Sequence, residues 1–253
     1  MSQFIRYARN SAWMLSEQVL SILLGLITGV LIARLLGPSD YGIYAFALAL
    51  LGVLLPIAKL GMDTVLVREC VQNPNREKQL VGTAFRLRLI AAAGLCFITF
   101  VTLSVSDVWT TRHTAVLLAA LGLFFHSTEV VQAYYQAQVR AKVISICIHA
   151  QLAFSTALKL YAIAQGYGVL VFLWIMLADK AFLSALLFIT TRKESIHGFI
   201  RQFDPKIAKP LFRASWPMIF AGLVVVIYAR IDQVMIGLML ESRAVGYYGV
   251  GVR

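Results

Sequence analysis

The sequence predicts an all-α bundle of membrane-spanning helices. Of its 253 residues, 60% are hydrophobic and 14% are charged, and the mean hydropathy is +0.78. Soluble domains are about 45–50% apolar and about 25% charged. The apolar residues fall in long runs, each close to the roughly 20 residues with which a helix crosses a bilayer. Because one soluble core cannot bury this much apolar surface, part of it must face lipid.

Seven runs are long enough to span, and the beginning of an eighth follows them. We place the spans at residues 13–36, 41–60, 87–105, 114–139, 143–164, 169–191 and 214–240. A basic segment, 192–213, separates the sixth span from the seventh and contains interleaved apolar residues. This pattern predicts an amphipathic connector helix that lies on anionic headgroups. The division is therefore a six-helix lobe over 1–191, a connector, and the start of a second lobe over 214–253.

The net charge of +11 has two interpretations, nucleic-acid binding or retention of basic residues on the cytoplasmic side of a membrane. The basic residues lie between apolar runs, which favours the second and predicts no nucleic-acid partner. Fifteen Lys and Arg residues fall on one side of the predicted topology, and three, Arg34, Arg112 and Arg243, on the other. The asymmetry predicts a multi-pass protein with a cytoplasmic N-terminus. The three cysteines show no metal-ligand spacing, so no metal site is expected.

The chain contains a weak internal repeat. Shifted by 204 residues, it aligns with itself at nine identical positions, from Arg9 with Arg213 to Tyr44 with Tyr248. Six spans separate the two copies, and an even number relates the copies by an axis along the membrane normal, as in several secondary transporters. We therefore expect the second lobe to be only begun here, and the natural protein to be longer.

Two stretches carry a family resemblance. Residues 33–69, ARLLGPSDYGIYAFALALLGVLLPIAKLGMDTVLVRE, and residues 228–253, YARIDQVMIGLMLESRAVGYYGVGVR, resemble the polysaccharide transporter family of Wzx-type O-antigen flippases, in the MOP superfamily that includes the MATE exporters. The resemblance implies a V-shaped bundle of two lobes and usually twelve or more helices, of which this chain holds the first lobe and the start of the second.

The resemblance also implies a function. Proteins of this kind move polyprenyl-pyrophosphate-linked oligosaccharides, such as O-antigen units for lipopolysaccharide, from the cytoplasmic to the periplasmic leaflet by alternating access. The implied location is the bacterial inner membrane, and the implied partners are the lipid-linked oligosaccharide, membrane lipids and polysaccharide polymerase or assembly proteins.

A pyrophosphate cargo needs fixed positive charge in a cavity, and ionisable groups inside spans are functional candidates because burying them is costly. Five cations of the predicted spans are candidates for binding pyrophosphate: Lys159, Arg230, Lys180, Lys59 and Arg34. Internal ion pairing is the alternative for the first three, with Asp179 beside Lys180 and Asp232 near Arg230. For Lys59 and Arg34, near span ends, we favour snorkelling to the interface.

Carboxylates in the spans are candidates for coupling to a proton or sodium gradient, the energy source expected in place of a cofactor. Glu129 is the first candidate because a buried carboxyl group can exchange protons near neutral pH. Asp232, Asp179 and Glu17 are further candidates. Glu129 belongs to a predicted polar stripe at helical spacing with His126, Gln132 and Gln136, for which an interhelical hydrogen bond is the alternative role.

Other functions remain open on the sequence alone. A multidrug or lipid II exporter would have the same fold. A membrane-embedded glycosyltransferase or O-antigen polymerase would need a sizeable catalytic loop. The predicted outward loops are short, and the predicted cytoplasmic loops contain no paired-Asp nucleotide-sugar motif. We therefore predict no enzymatic activity and no catalytic residues. A non-transporting fragment is a third alternative.

Overall fold

The computed structural model describes residues 2–105, 109–192, 194–240 and 242–251, with side chains except at 2–9, 230, 242, 250 and 251. Across these ranges the regular elements are helices and no strand occurs, which confirms the all-α class. The helices are α1 (Ser2–Ala58), α2 (Met62–Gln72), α3 (Glu77–Ser104), α4 (Thr111–His126), α5 (Val130–Ala137), α6 (Ala141–Ala164), α7 (Val169–Thr191), α8 (Pro205–Met239) and α9 (Ser242–Gly251).

The helix α1 contains two helical lengths that meet at a break. As a straight helix its 57 residues would extend about 85 Å, far beyond the roughly 30 Å of a bilayer core. At Gly37 the backbone has φ 69° and ψ 176°, which is not helical and favours glycine. Pro38 then opens the second length, a position that proline tolerates. The predicted spans 13–36 and 41–60 lie on either side of this break.

Six helical stretches of the described chain are long and apolar enough to cross a membrane, and the first of them contains the break at Gly37. These stretches are Asn10–Gln72, Pro74–Ser104, Thr111–Ala137, Ala141–Ala164, Val169–Thr191 and Pro205–Ala229. In the most apolar part of Thr111–Ala137, 67% of the residues are buried, against 11% in Pro74–Ser104 and Pro205–Ala229. The stretch containing α4 therefore lies at the centre of the bundle, and the others present apolar faces to lipid.

Two apolar clusters hold the bundle together. One is built around Phe172, Leu123 and Ile32, and joins α1, α4 and α7. The other is built around Phe85 and Tyr134, and extends from α2, α3 and α5 to the connector. Burial of a large apolar side chain contributes about 1.5–3 kcal/mol in water, but in a bilayer close packing contributes more of the stability.

The structure contradicts an amphipathic helix over the first part of the connector, whereas residues 205–213 are helical as the beginning of α8. The residues after Lys193, which itself lies outside the described part, form turns with one short 3₁₀ helix, Phe199–Arg201, until α8 begins at Pro205. Ile196 and Phe199 are buried, because they pack into the second apolar cluster. The Phe199 ring lies 5.4 Å from that of Phe85 and nearly perpendicular to it. The connector is therefore docked on the helical lobe, while Ile200 and Phe203 stay exposed.

Polar contacts and a glycine also fix the docked connector. Arg86 donates to the carbonyl of Ile200 at 3.1 Å, and the Arg140 guanidinium pairs with Glu194 at 2.9 Å. A methyl group at Gly82 would lie 2.3 Å from the Phe199 carbonyl oxygen and 2.4 Å from that of Gln202. Because real Cβ atoms do not approach backbone this closely, α3 requires glycine at this point of contact.

Candidate functional site

A cavity of about 520 Å³ lies between the second length of α1 and the middle of α8. Most of its wall is apolar or small, including Leu55, Pro56, Val225 and Val226. Lys59 and Asp63 are the charged members of the wall. The cavity is therefore amphipathic, with a long apolar side and the charged residues Lys59 and Asp63 at the α1–α2 turn.

The backbone of the α1–α2 turn brings this charged group to the cavity. The helix α1 ends at Ala58, and Leu60 and Gly61 have left-handed φ values of 55° and 61°. A Cβ at Gly61 would lie 2.7 Å from the backbone of Ile219 in α8, so α8 crosses the turn at close range. Lys59 precedes this tight bend and Asp63 follows it, so the bend brings the two residues close together.

Lys59 is held between two carboxylates. Its Nζ lies 2.6 Å from Oε2 of Glu129 and 3.6 Å from Oδ2 of Asp63. The side chain is 21% exposed. The expectation that Lys59 snorkels to the membrane interface is wrong, because the ammonium group points into the protein and pairs there.

Glu129 is the centre of the buried charge network. Besides Lys59, its carboxylate meets Nδ1 of His126 at 2.8 Å, and Lys180 on α7 is near enough to act on it electrostatically. A short 3₁₀ turn, Ser127–Glu129, separates α4 from α5 and carries this carboxylate. Glu129 is therefore not the isolated buried carboxyl group on which the proton-coupling prediction rested.

The predicted polar stripe is divided by this turn. His126 and Glu129 join the charge network, while Gln132 and Gln136 line a small cavity of about 30 Å³ with Glu17. Ser145 of α6 donates to Glu17 at 3.1 Å. Interhelical hydrogen bonding is thus the observed role of Glu17.

Arg88 is a buried member of the network that sequence reasoning missed. It is 1% exposed, and its Nη2 donates to Oδ1 of Asp63 at 2.8 Å. Its Nε and Nη1 have no hydrogen-bond partner among the described residues. Arg88 and its neighbour Arg86 are both among the fifteen basic residues assigned to the cytoplasmic side, although Arg88 is the second residue of the predicted span 87–105. The signal available was spacing, since residues two apart on a helix face different sides.

Asp179 occupies a separate buried position between α6 and α7. Ser155 donates to its Oδ2 at 3.0 Å, and Oδ1 has no partner in the described part of the chain. Lys159, on the same helix as Ser155, is partly buried and engaged in an interaction of its own. Neither Lys159 nor Lys180 lines the 520 Å³ cavity.

Three further candidates are placed as follows. Arg34 is exposed, three residues before the break at Gly37. The side chain of Arg230 lies outside the described residues, although its neighbour Ala229 lines the cavity. Asp232 accepts a hydrogen bond from the hydroxyl of Tyr248, which joins α8 to α9. Around the described residues, no group of three or more His, Cys, Asp or Glu side chains forms a metal site.

The apolar helices and the enclosed charge network define a multi-pass membrane protein. The chain belongs to the polysaccharide biosynthesis protein family, whose model matches residues 7–253. No curated protein matches the chain.

Solved structures with the same fold are transporters of the MOP superfamily. An inward-facing multidrug resistance MATE family transporter matches with a TM-score of 0.67 at 16% identity, over 90% of this chain and 56% of that one. A MOP superfamily transporter from Pyrococcus furiosus, described as having a binding pocket of reverse polarity, matches with a TM-score of 0.61 at 15% identity, over 98% and 62%. An outward-facing multidrug resistance MATE family transporter matches with a TM-score of 0.63 at 14% identity, over 98% of this chain and 62% of that one. The chain thus spans about three-fifths of their length.

Proposed function

We propose that the chain is part of a flippase that moves polyprenyl-pyrophosphate-linked oligosaccharide across the bacterial inner membrane, with its N-terminus in the cytoplasm. The observation that carries this proposal is the amphipathic 520 Å³ cavity with Lys59 in its wall. A lipid-linked cargo has an apolar tail and an anionic head, and this cavity offers an apolar side and a charged end at which Lys59 lies beside Asp63. The family match supports a role in polysaccharide biosynthesis.

The charge of the network favours an anion. Lys59, Arg88 and Lys180 carry positive charge, and Asp63 and Glu129 carry negative charge. Counted without Asp179, which is hydrogen-bonded to Ser155 between α6 and α7, the cations of the network are in excess by one. Charged groups away from water interact strongly, and an excess cation beside an apolar wall attracts an anionic group. Lys59 is therefore the first residue to test for pyrophosphate binding, ahead of Lys159 and Arg230.

The proposal extends to the division and energy source of the transporter. We propose that residues 1–191 form one lobe and that α8 begins a second, with the cavity between them changing shape as access alternates. A proton or sodium gradient would drive the cycle, and polysaccharide polymerase or assembly proteins would receive the cargo.

Binding to the chain in lipid nanodiscs tests the proposal. Polyprenyl pyrophosphate should bind, and the uncharged polyprenol of the same length should not. Lys59→Gln should weaken pyrophosphate binding by roughly 10- to 100-fold, since a hydrogen bond to a charged group contributes about 1.5–3 kcal/mol. Lys142→Gln, an exposed lysine over Trp13, is the matched control and should bind like the wild type. Equal affinity for both lipids would overturn the proposal.

A multidrug exporter is the second candidate, because the solved structures described as multidrug transporters have the same fold and the cavity wall is largely apolar. A lipophilic cation such as tetraphenylphosphonium distinguishes the two functions. If the chain exports cations, this probe should bind and Asp63→Asn should weaken its binding, while polyprenyl pyrophosphate should bind no better than polyprenol.

A further inference from the structure

A second cavity lies at one end of the bundle, apart from the network around Lys59. It measures about 280 Å³, close to the lower limit of about 300 Å³ for small-molecule pockets. The α2–α3 turn and the first turns of α8 form its wall. The lining residues are Glu69, Asn73, Arg76, Leu80, Lys206, Ile207, Pro210 and Leu211. The cavity therefore bridges the helical lobe and α8.

This cavity lies where three spanning stretches end or begin. One apolar stretch ends at Gln72, the next begins at Pro74, and the stretch of α8 begins at Pro205. The ends of spanning helices coincide with the headgroup region of a bilayer. The cavity therefore lies beyond the predicted spans 87–105 and 214–240, on the side where the lipid headgroups lie.

Two cations in the wall have no partner within the protein. Neither the Arg76 guanidinium nor the Lys206 ammonium makes a hydrogen bond or ion pair among the side chains that the structure describes. The one carboxylate in the wall, Glu69, is already held by Arg68 at 3.1 Å and by Asn73 at 3.4 Å. The cavity consequently has an unbalanced positive charge.

The rest of the wall is apolar. Leu80 and Leu211 are buried, and Ile207 and Pro210 complete this side. Free phosphate would gain nothing from these groups, whereas the glycerol and first acyl carbons of a phospholipid would contact them. Basic pockets between membrane helices are a known means of binding anionic headgroups.

We propose that this cavity binds the phosphodiester headgroup of an anionic phospholipid, with Arg76 and Lys206 contacting the phosphate. The bound lipid joins the α2–α3 turn to α8 and so stabilises their present arrangement. The site is independent of any cargo bound at Lys59, and its test does not require transport.

The test uses the full chain in detergent and short-chain phosphatidylglycerol, followed by native mass spectrometry and thermal unfolding. Phosphatidylglycerol should bind and raise the unfolding temperature, and phosphatidylcholine of equal chain length should not. Arg76→Gln and Lys206→Gln should each weaken binding about fivefold, as expected for one cation near a membrane surface. Lys209→Gln makes the same charge change on the same helix outside the cavity wall, and should leave binding unchanged.

Three results would overturn the proposal. Phosphatidylcholine could bind equally well, the two variants could bind phosphatidylglycerol like the wild type, or inorganic phosphate could bind as tightly as the lipid. The last outcome would assign the cavity to a free anion. Unfolding of each variant without lipid provides the check on folding, and it should match the wild type because both side chains are unpaired.

Discussion

Nζ of Lys59 lies 2.6 Å from Oε2 of Glu129, and this contact joins the end of α1 to the turn between α4 and α5. Removing one partner of a buried pair costs about 3–5 kcal/mol, because the other charge is left without compensation. Lys59→Met and Glu129→Met should each lower the unfolding temperature in detergent. The double variant should be more stable than the sum of the two changes predicts. Strictly additive losses would show that the contact contributes no coupling.

Hydropathy and length sufficed to predict the long apolar helices, because the bilayer imposes a fixed apolar length on every span, but they predicted neither α2 nor the turn that separates α4 from α5. The position of Lys59 was not predictable in the same way. Its closeness to the span end suggested snorkelling, whereas its contact with Glu129 depends on how the end of α1 packs against the turn between α4 and α5. Arg88 was missed because it lies at the start of the predicted span 87–105 beside Arg86, and the spacing that turns the two side chains to different faces does not identify Asp63 as the partner. The expected contact of the connector with lipid was not found, because its apolar residues Ile196 and Phe199 pack against the helices of the second apolar cluster.

Asp63 and Arg88 should respond unequally to mutation. Asp63 has a side chain that is 56% exposed, whereas Arg88 is 1% exposed and has two unpaired nitrogens. Asp63→Ala strands a buried cation, and we expect a loss of about 3 kcal/mol, at the low end for buried pairs because the pair is partly solvated. Arg88→Met removes the unpaired donors as well as the charge, so it should cost less. The comparison is made by thermal unfolding in one detergent.

The double variant Asp63→Ala/Arg88→Met provides the control for that comparison. It removes both charges together and should recover most of the stability lost in Asp63→Ala. If Arg88→Met proves the more damaging single change, then Arg88 is stabilised by something other than Asp63.

Two glycines of α3 should respond to alanine with opposite signs. At Gly82 the new methyl group would meet the backbone of Phe199 and Gln202, whereas at Gly94 no atom lies within 4 Å. Gly82→Ala should release the connector and make 196–204 sensitive to protease. Gly94→Ala should leave the connector protected and raise stability by up to about 1 kcal/mol, since alanine is the better helix former. Equal protease resistance in both variants would show that the connector does not need close contact at Gly82.

Docking of the connector should weaken in acid. Glu194 lies between spans, and its hydrogen bond from Arg140 holds the pKa of the carboxyl group below its ordinary value. A group whose pKa is lowered by folding stabilises the fold above its ordinary pKa, near 4.3, and loses that contribution as the pH falls through the lowered value. Protease sensitivity of the connector should therefore rise below about pH 4. Glu194→Gln should remove this part of the pH dependence, and a similar acid response in the variant would assign it to another group.

The helix α3 should place its two ends on opposite faces of the membrane. Its 28 residues extend about 42 Å, enough for one crossing, and exposed residues flank it at Arg76 and Thr111. In a background with Cys70, Cys96 and Cys147 replaced, Arg76→Cys should react with an impermeant maleimide only after the cytoplasmic face is opened. Thr111→Cys should react from outside in intact spheroplasts. Thr111 is preferable to Arg112, whose guanidinium lies 4.1 Å over the Phe46 ring. Labelling of both cysteines from one face would contradict the membrane crossing, and labelling of Arg76→Cys in intact spheroplasts would contradict the cytoplasmic N-terminus.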